Sequence, residues 1–467
     1  MADYALGFRD VGQEQASVEA DLSGTLPLWL EGLLIRNGPG QWSAGAELLR
    51  HWFDGFALLH QFRINGGKVY YQSRFLRTPD KLEADQHGRV MRPSFASDPC
   101  RRLFQKVMTV FVSDVGANAN VNITRWGDRF LAMTETPMAV EFEPDTLHTI
   151  GLFDYQRDGL PGQITSAHPL HQEGHLYNFT VKMGAKTRYL GYRLPVAGSR
   201  EVFATCPTRA PAYIHSFGLS HQEMILVEGP LLANRQQLLL RTKPYIDCYE
   251  WHPDRGTRLC LLNLKGGRVE YARGPTMFVF HHVNSFYQDG QLLVDVLAYP
   301  DSSVIDLLSM DNLRSGREIP MPKLTRLMVD RQNGTFESTT LSDRGLELPR
   351  ISPGFQGREY RWVYGVTRED SPFYNALTKL DQCTGQTQVW QQDHCFAGEP
   401  VPVLQTGQTQ EDSGVVLSVV LDSRQQRSFL LVLDARSFLE IARAYIPAIV
   451  PFGFHGAYYD HSVFDRT

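Results

Sequence analysis

The stretch Phe278-Val-Phe-His-His-Val-Asn-Ser-Phe-Tyr-Gln-Asp-Gly-Gln-Leu-Leu-Val-Asp-Val-Leu-Ala-Tyr299 reads as strand, tight turn, strand. Aromatic and β-branched residues fill its first half, Asp289-Gly290 suits a two-residue hairpin, and Leu and Val fill the return. Neighbours on a strand point to opposite faces, so of His281 and His282 one is expected to face inward and the other outward. A histidine held on rigid sheet among apolar side chains is a sound metal ligand. Taken alone, it is more often an ordinary core residue.

The same signal recurs along the chain. Asn65-Gly66-Gly67, Trp126-Gly127-Asp128, Gly266-Gly267, Asn333-Gly334, Thr384-Gly385 and Ser413-Gly414 each separate runs rich in Val, Leu, Tyr, Phe or Thr. Gly32-Leu-Leu-Ile-Arg-Asn-Gly-Pro-Gly40 is a short strand running into a turn whose geometry Pro39 fixes. His51 and His60 lie in an aromatic-dense strand and read as structural residues before they read as ligands. Amphipathic helices are few. In the segment from Cys100 to Phe111, Leu103, Phe104, Val107, Met108 and Phe111 form a helical stripe beside Arg101, Arg102 and Lys106. Such a helix packs on a sheet or lies at a membrane surface. Many short, evenly punctuated strands predict a closed or radial all-β architecture such as a propeller. No Trp-Asp or kelch-type repeat marks blades, and no Pro/Gly/Ser linker divides residues 1–467, so one domain is expected.

Across 467 residues, 42% are apolar and 21% charged, the balance of a globular chain with much to bury. The net charge is -5, with Lys and Arg scattered, which speaks against a nucleic-acid partner. The first residues carry neither a basic cluster nor an apolar run, so no secretion signal is expected, and no apolar run is long enough to span a bilayer. The six cysteines, Cys100, Cys206, Cys248, Cys260, Cys383 and Cys395, form no C-x-x-C pair. They argue against thiolate zinc and a disulfide framework and for a reducing, cytoplasmic setting.

Three more histidines resemble the first in context: Ser166-Ala-His168-Pro169, Tyr213-Ile-His215-Ser-Phe-Gly218 and Phe452-Gly-Phe-His455-Gly-Ala-Tyr-Tyr459. They span nearly the whole chain, as a radial fold requires if strands from different blades converge on one axis. Four imidazoles without thiolate suit iron, zinc or copper and not a structural zinc knuckle. Metal-bound histidines usually donate their second N–H to a carboxylate, which draws attention to Glu135, Glu347 and Glu399 in apolar strands. The plainer reading of each is an exposed charge at a strand end.

Together Arg36-Asn-Gly-Pro-Gly40, His51-Trp-Phe-Asp-Gly55, Ala167-His168-Pro169, Ile214-His215-Ser-Phe217, Phe280-His281-His-Val-Asn284, Glu347-Leu-Pro349, Gly398-Glu399-Pro400 and Phe454-His455-Gly456 resemble the carotenoid cleavage oxygenases, from about Leu26 to Tyr459. The resemblance implies a seven-bladed β-propeller with a helical and loop cap over a metal-bearing axis. It implies Fe(II) on His168, His215, His281 and His455, with His282 facing away. It also implies that Glu135, Glu347 and Glu399 orient His215, His281 and His455, leaving His168 without a carboxylate. The implied activity uses O2 to cleave a conjugated C=C bond of a carotenoid or apocarotenoid into two carbonyls, with retinal the product of 15,15′ cleavage.

Candidate walls for the polyene are Phe53, Phe278, Phe280, Tyr360, Trp362, Tyr364 and Phe454, with Thr134 beside the open coordination position; each aromatic residue reads equally well as core. Met133-Thr-Glu-Thr136 and Asp247-Cys-Tyr-Glu-Trp251 lean toward the animal-type oxygenases and retinoid isomerases. Asp98-Pro-Cys100 resembles the membrane-binding segment of the isomerase, which adds peripheral membrane contact to the expectations. A stilbenoid dioxygenase of the same fold is disfavoured because Asp114 to Asn122 contains no lysine to read a phenol. A non-catalytic apocarotenoid binder would not need all four histidines and all three glutamates.

Overall fold

The computed structural model describes residues 3–97, 116–155, 160, 164–184, 186–240 and 243–461. The amphipathic segment Cys100 to Phe111 lies outside the described residues. Among those described, the architecture is all-β and propeller-like, with few helices: Pro79–His87, the longest, and shorter turns at Arg235–Leu240, Ser303–Leu307 and Met310–Ser315. None of these is long and apolar enough to cross a membrane.

Antiparallel hairpins build the sheets, and the turns fall where glycines permit positive φ. Strand Phe278–Gln288 returns as Gln291–Tyr299, with Asp289 at φ 51° and Gly290 at φ 80°. Further hairpins close at Asn65–Lys68, Trp126–Arg129, Asp330–Thr335 and Asp422–Arg427. Among the described residues the sheets are of eight, six, five, five, four and four strands, with two two-stranded ribbons. Strand Gly32–Gln41 sits between Phe56–Asn65 and the final strand Gly456–Asp460, so one sheet joins the two ends of the chain. A second sheet does the same through Asp21–Gly24 against Glu440–Tyr445. These seams bring His455 against residues more than 400 positions earlier: Asn37 N–H donates to His455 O (2.8 Å) and Phe454 N–H to Asn37 O (3.0 Å).

Simple alternation fails at one place that matters. Register shifts flank His282 in strand Phe278–Gln288, between Val279 and His282 and again between His282 and Asn284. Such irregularities re-aim side chains. His282 is therefore only partly exposed; its Nδ1 lies 3.0 Å from Ser216 Oγ, and desolvation of the ring pushes its pKa down to about 3. Cys206, Cys248, Cys260, Cys383 and Cys395 are free thiols, all buried except Cys383.

Candidate metal centre

The four histidines come from separate segments and meet at one point. His215 precedes strand Gly218–Leu219, His281 lies within Phe278–Gln288, His455 abuts Gly456–Asp460, and His168 precedes Leu170–Gln172. Their ligand-capable nitrogens all lie within 4.8 Å of one another. His168 Nε2 and His215 Nε2 are 3.1 Å apart, and His281 Nε2 and His455 Nε2 are 3.3 Å apart. Imidazole nitrogens about 2.1 Å from one ion would be separated by about 3 Å at right angles and about 4 Å across it. The donor set fits a single transition-metal ion.

Carboxylates fix three of the rings. Glu135 accepts from His215 Nδ1 (2.6 Å), Glu347 from His281 Nδ1 (2.7 Å) and Glu399 from His455 Nδ1 (2.7 Å). With Nδ1–H committed, the lone pair of each Nε2 points to the centre. The three carboxylates differ in what else holds them. Glu135 also accepts from Tyr213 (2.7 Å) and Glu347 from Tyr299 (2.7 Å). Glu399 instead meets two cations, Arg36 and Arg350; Arg350 Nε donates to it at 2.8 Å. The same arginines donate to the carbonyls flanking His455, Arg36 to Phe454 O (2.9 Å) and Arg350 to Gly456 O (2.7 Å). Burial would raise the Glu399 carboxyl, but Arg350, Arg36 and His455 outweigh it and hold it well below the usual carboxylate range.

His168 has no carboxylate and is tied through its backbone. Its N–H donates to Ser166 Oγ (3.0 Å), and that hydroxyl donates to His215 O (2.6 Å). Asn178 grips Ser166 O (2.9 Å) and Asn122 grips Ala167 O (3.0 Å). Burial, then the neighbouring His455, His215 and His281, hold the His168 imidazole neutral by pushing its pKa well down. A neutral imidazole is the form that binds a metal.

An aromatic cavity lies over the centre, its wall including Trp52, Phe53, Phe95, Thr134, Phe280, Leu308, Leu348 and Phe454. Of the residues expected there, Phe53, Thr134, Phe280 and Phe454 line it. Phe278, Tyr360, Trp362 and Tyr364 do not. Phe278 lies behind Phe280, with ring centroids 4.7 Å apart. Tyr360 donates to Asp295 (2.7 Å) and packs on Phe286 in another cluster. Trp362 covers the Lys379 ammonium at 3.9 Å, and Tyr364 is fully buried. Sequence reading missed Trp52, Phe95, Asn120, Tyr299 and Tyr374 in the wall and both arginines on Glu399. The nearest signals were the His51-Trp-Phe-Asp and Arg36-Asn-Gly-Pro-Gly motifs themselves. His51 and His60 are structural: His51 Nε2 contacts Ile305 O (2.8 Å) and His60 Nδ1 contacts Tyr71 OH (2.8 Å).

Fold and site thus define a propeller-like protein whose four-histidine centre could hold a metal beneath an aromatic cavity. The family model described as retinal pigment epithelial membrane protein matches residues 8–460. Human β,β-carotene 15,15′-dioxygenase is 31% identical over 512 residues, covering 96% of this chain and 93% of that protein. Carotenoid isomerooxygenase of Galleria mellonella is 30% identical over 481 residues, covering 94% and 93%. The crystal structure of cobalt-substituted Synechocystis apocarotenoid oxygenase matches with a TM-score of 0.89, 29% identity and 98% of each chain. The chain belongs to this family, the carotenoid cleavage oxygenases, and is an enzyme of the oxygenase type.

Glu347→Gln keeps a neutral acceptor for Tyr299 but loses the charge that orients His281. Metal affinity is expected to fall roughly 10–100-fold, with little loss of fold stability. Metal titration and thermal unfolding of the variant check both halves.

Proposed function

We propose that this protein is a non-haem Fe(II) dioxygenase that cleaves a conjugated C=C bond of a carotenoid or apocarotenoid with O2, giving two carbonyl products. The single observation that carries the reading is the convergence of four imidazoles beneath an aromatic cavity. Four nitrogen donors without thiolate suit iron, and the cobalt-substituted Synechocystis relative supports a divalent transition metal. Iron bound here would supply the electron transfer that lets O2 react with an electron-rich polyene. The balance closes without a reductant: one C=C and one O2 become two C=O, and the alkene supplies all four electrons.

The protein's own work is positioning. Phe53, Phe280 and Phe454 surround the polyene and exclude water. Glu135, Glu347 and Glu399 keep His215, His281 and His455 aimed, and Asn122 and Asn178 hold the turn that carries His168. Seven blades are part of the same proposal. The eight-stranded sheet is continuous only through the single parallel bridge Arg273–Thr335. Split there, six large sheets become seven units, and 15,15′ cleavage to retinal is the favoured outcome in view of the human relative. A reducing, cytoplasmic setting is supported by five free thiols, and the basic amphipathic sequence around Cys100 supports peripheral membrane contact.

Anaerobic loading with Fe(II) followed by metal analysis tests the centre. One iron per chain, with O2 consumption lost on chelation, is expected. A protein that takes up no iron, or consumes O2 on a polyene without it, would contradict the reading.

A further inference from the structure

Tyrosine hydroxyls around the cavity are accounted for, with one exception. Tyr213 and Tyr299 donate to Glu135 and Glu347, and the Tyr245 and Tyr249 hydroxyls pair with each other at 2.8 Å. Tyr374 lines the same cavity and is 5% exposed, yet its hydroxyl has no hydrogen-bond partner among the described residues. It is also not one of the hydroxyls sealed inside the packing, as those of Tyr4 and Tyr364 are. A buried phenol normally finds a partner, and one left open on a cavity wall is available to a ligand.

Its position is fixed. Tyr374 lies near the end of the loop between strands Trp362–Thr367 and Ala376–Asp381, and Asn375 staples that loop by exchanging hydrogen bonds with Glu369 N and O, both 2.8 Å. The adjacent Phe373 stacks on Tyr4, centroids 5.0 Å apart at 15°. Burial and then the nearby Glu347 carboxylate keep the phenol protonated. What it offers is therefore a donor proton on a rigid wall, whose match is an acceptor oxygen.

We propose that Tyr374 is a specificity-determining residue whose hydroxyl donates to a carbonyl or hydroxyl oxygen of the substrate, so that the cavity favours an oxygen-bearing conjugated molecule over the hydrocarbon of the same length. The assignment rests on the cavity being the substrate site proposed above. A site built to hydrogen-bond a ligand discriminates against the analogue that lacks the partner atom.

Iron-loaded full-length protein is held anaerobic, so that binding is read without turnover, through quenching of tryptophan fluorescence. The probes are an aldehyde-ended polyene, its methyl-ended counterpart, and a phenolic stilbene with the stilbene that lacks the hydroxyl. Wild type is expected to bind the aldehyde roughly 3–10-fold tighter than the methyl-ended polyene, the worth of one neutral hydrogen bond, and Tyr374→Phe to erase the difference. If the stilbene pair alone shows the Tyr374-dependent contrast, the oxygen read is a phenol, which also upholds the residue's role. Equal affinities within both pairs in wild type, or a preference that survives Tyr374→Phe, would overturn it. Aerobic cleavage of the methyl-ended polyene by wild type is scored separately. Failure to cleave both that polyene and the aldehyde would count against the proposed reaction, while the anaerobic contrast still decides Tyr374.

Discussion

His281→Ala is expected to lose metal and turnover together, whereas His282→Ala, one residue along, keeps the metal. His281 Nε2 is one of four donors and its Nδ1 is held by Glu347, so the substitution removes a ligand and strips Glu347 of a charge-orienting partner. The affinity loss should exceed the roughly 10–100-fold that follows from disturbing the carboxylate alone. His282 contacts Ser216 Oγ, and its other ring nitrogen is buried without a partner. Its replacement gives up a neutral hydrogen bond, about 0.5–1.5 kcal/mol, plus packing. Iron per chain after anaerobic loading separates the two. Equal loss of iron in both variants would mean that the irregular strand aims its histidines differently.

Glu399→Gln should be the most damaging of the three carboxylate substitutions, because stability fails along with metal binding. Glu347→Gln leaves a tyrosine that can donate to an amide oxygen. Glu399→Gln leaves the buried Arg36 and the half-buried Arg350 without their anion. Removing one member of a buried ion pair typically costs about 3–5 kcal/mol. Both arginines also clamp the carbonyls beside His455 at the seam between the chain's two ends, so the loosening reaches a ligand. Thermal unfolding of the metal-free proteins is the check. A Glu399→Gln protein as stable as Glu347→Gln would show that the arginines need no counter-charge.

Much of this was legible in the sequence for physical reasons. Asp289-Gly290 and Asn65-Gly66-Gly67 sit at turns because positive φ is cheap for glycine and tolerable for aspartate. The four histidines stood out because each lies among aromatic residues and glycine or proline. What stayed hidden depends on facing and on long-range pairing. Aromatic density does not say which face of a strand meets the cavity, so Phe278, Tyr360, Trp362 and Tyr364 read like Phe280 and Phe454. Register shifts around His282 turn its ring onto Ser216, where simple alternation would leave it free in solvent. Arg36 and Arg350 reach Glu399 from distant positions, with nothing local to announce it. The repeat of the fold is also faint: Asn122-Ile-Thr124 and Asn178-Phe-Thr180 each close an asparagine Oδ1 on the next N–H at 2.8 Å while Nδ2 grips a neighbouring segment. Asn284 does the same at 2.9 Å without the threonine two residues on.

The most direct test is the identity of the products. Protein loaded anaerobically with Fe(II) is given β-carotene and an apocarotenal in the presence of O2, and the products are identified by mass. The account predicts two carbonyl fragments whose carbon skeletons together make up the substrate, retinal if the 15,15′ bond is cut and ionone-type ketones if cleavage falls at 9,10. Iron-bound protein that returns the polyene intact, or only as a geometric isomer, would contradict it.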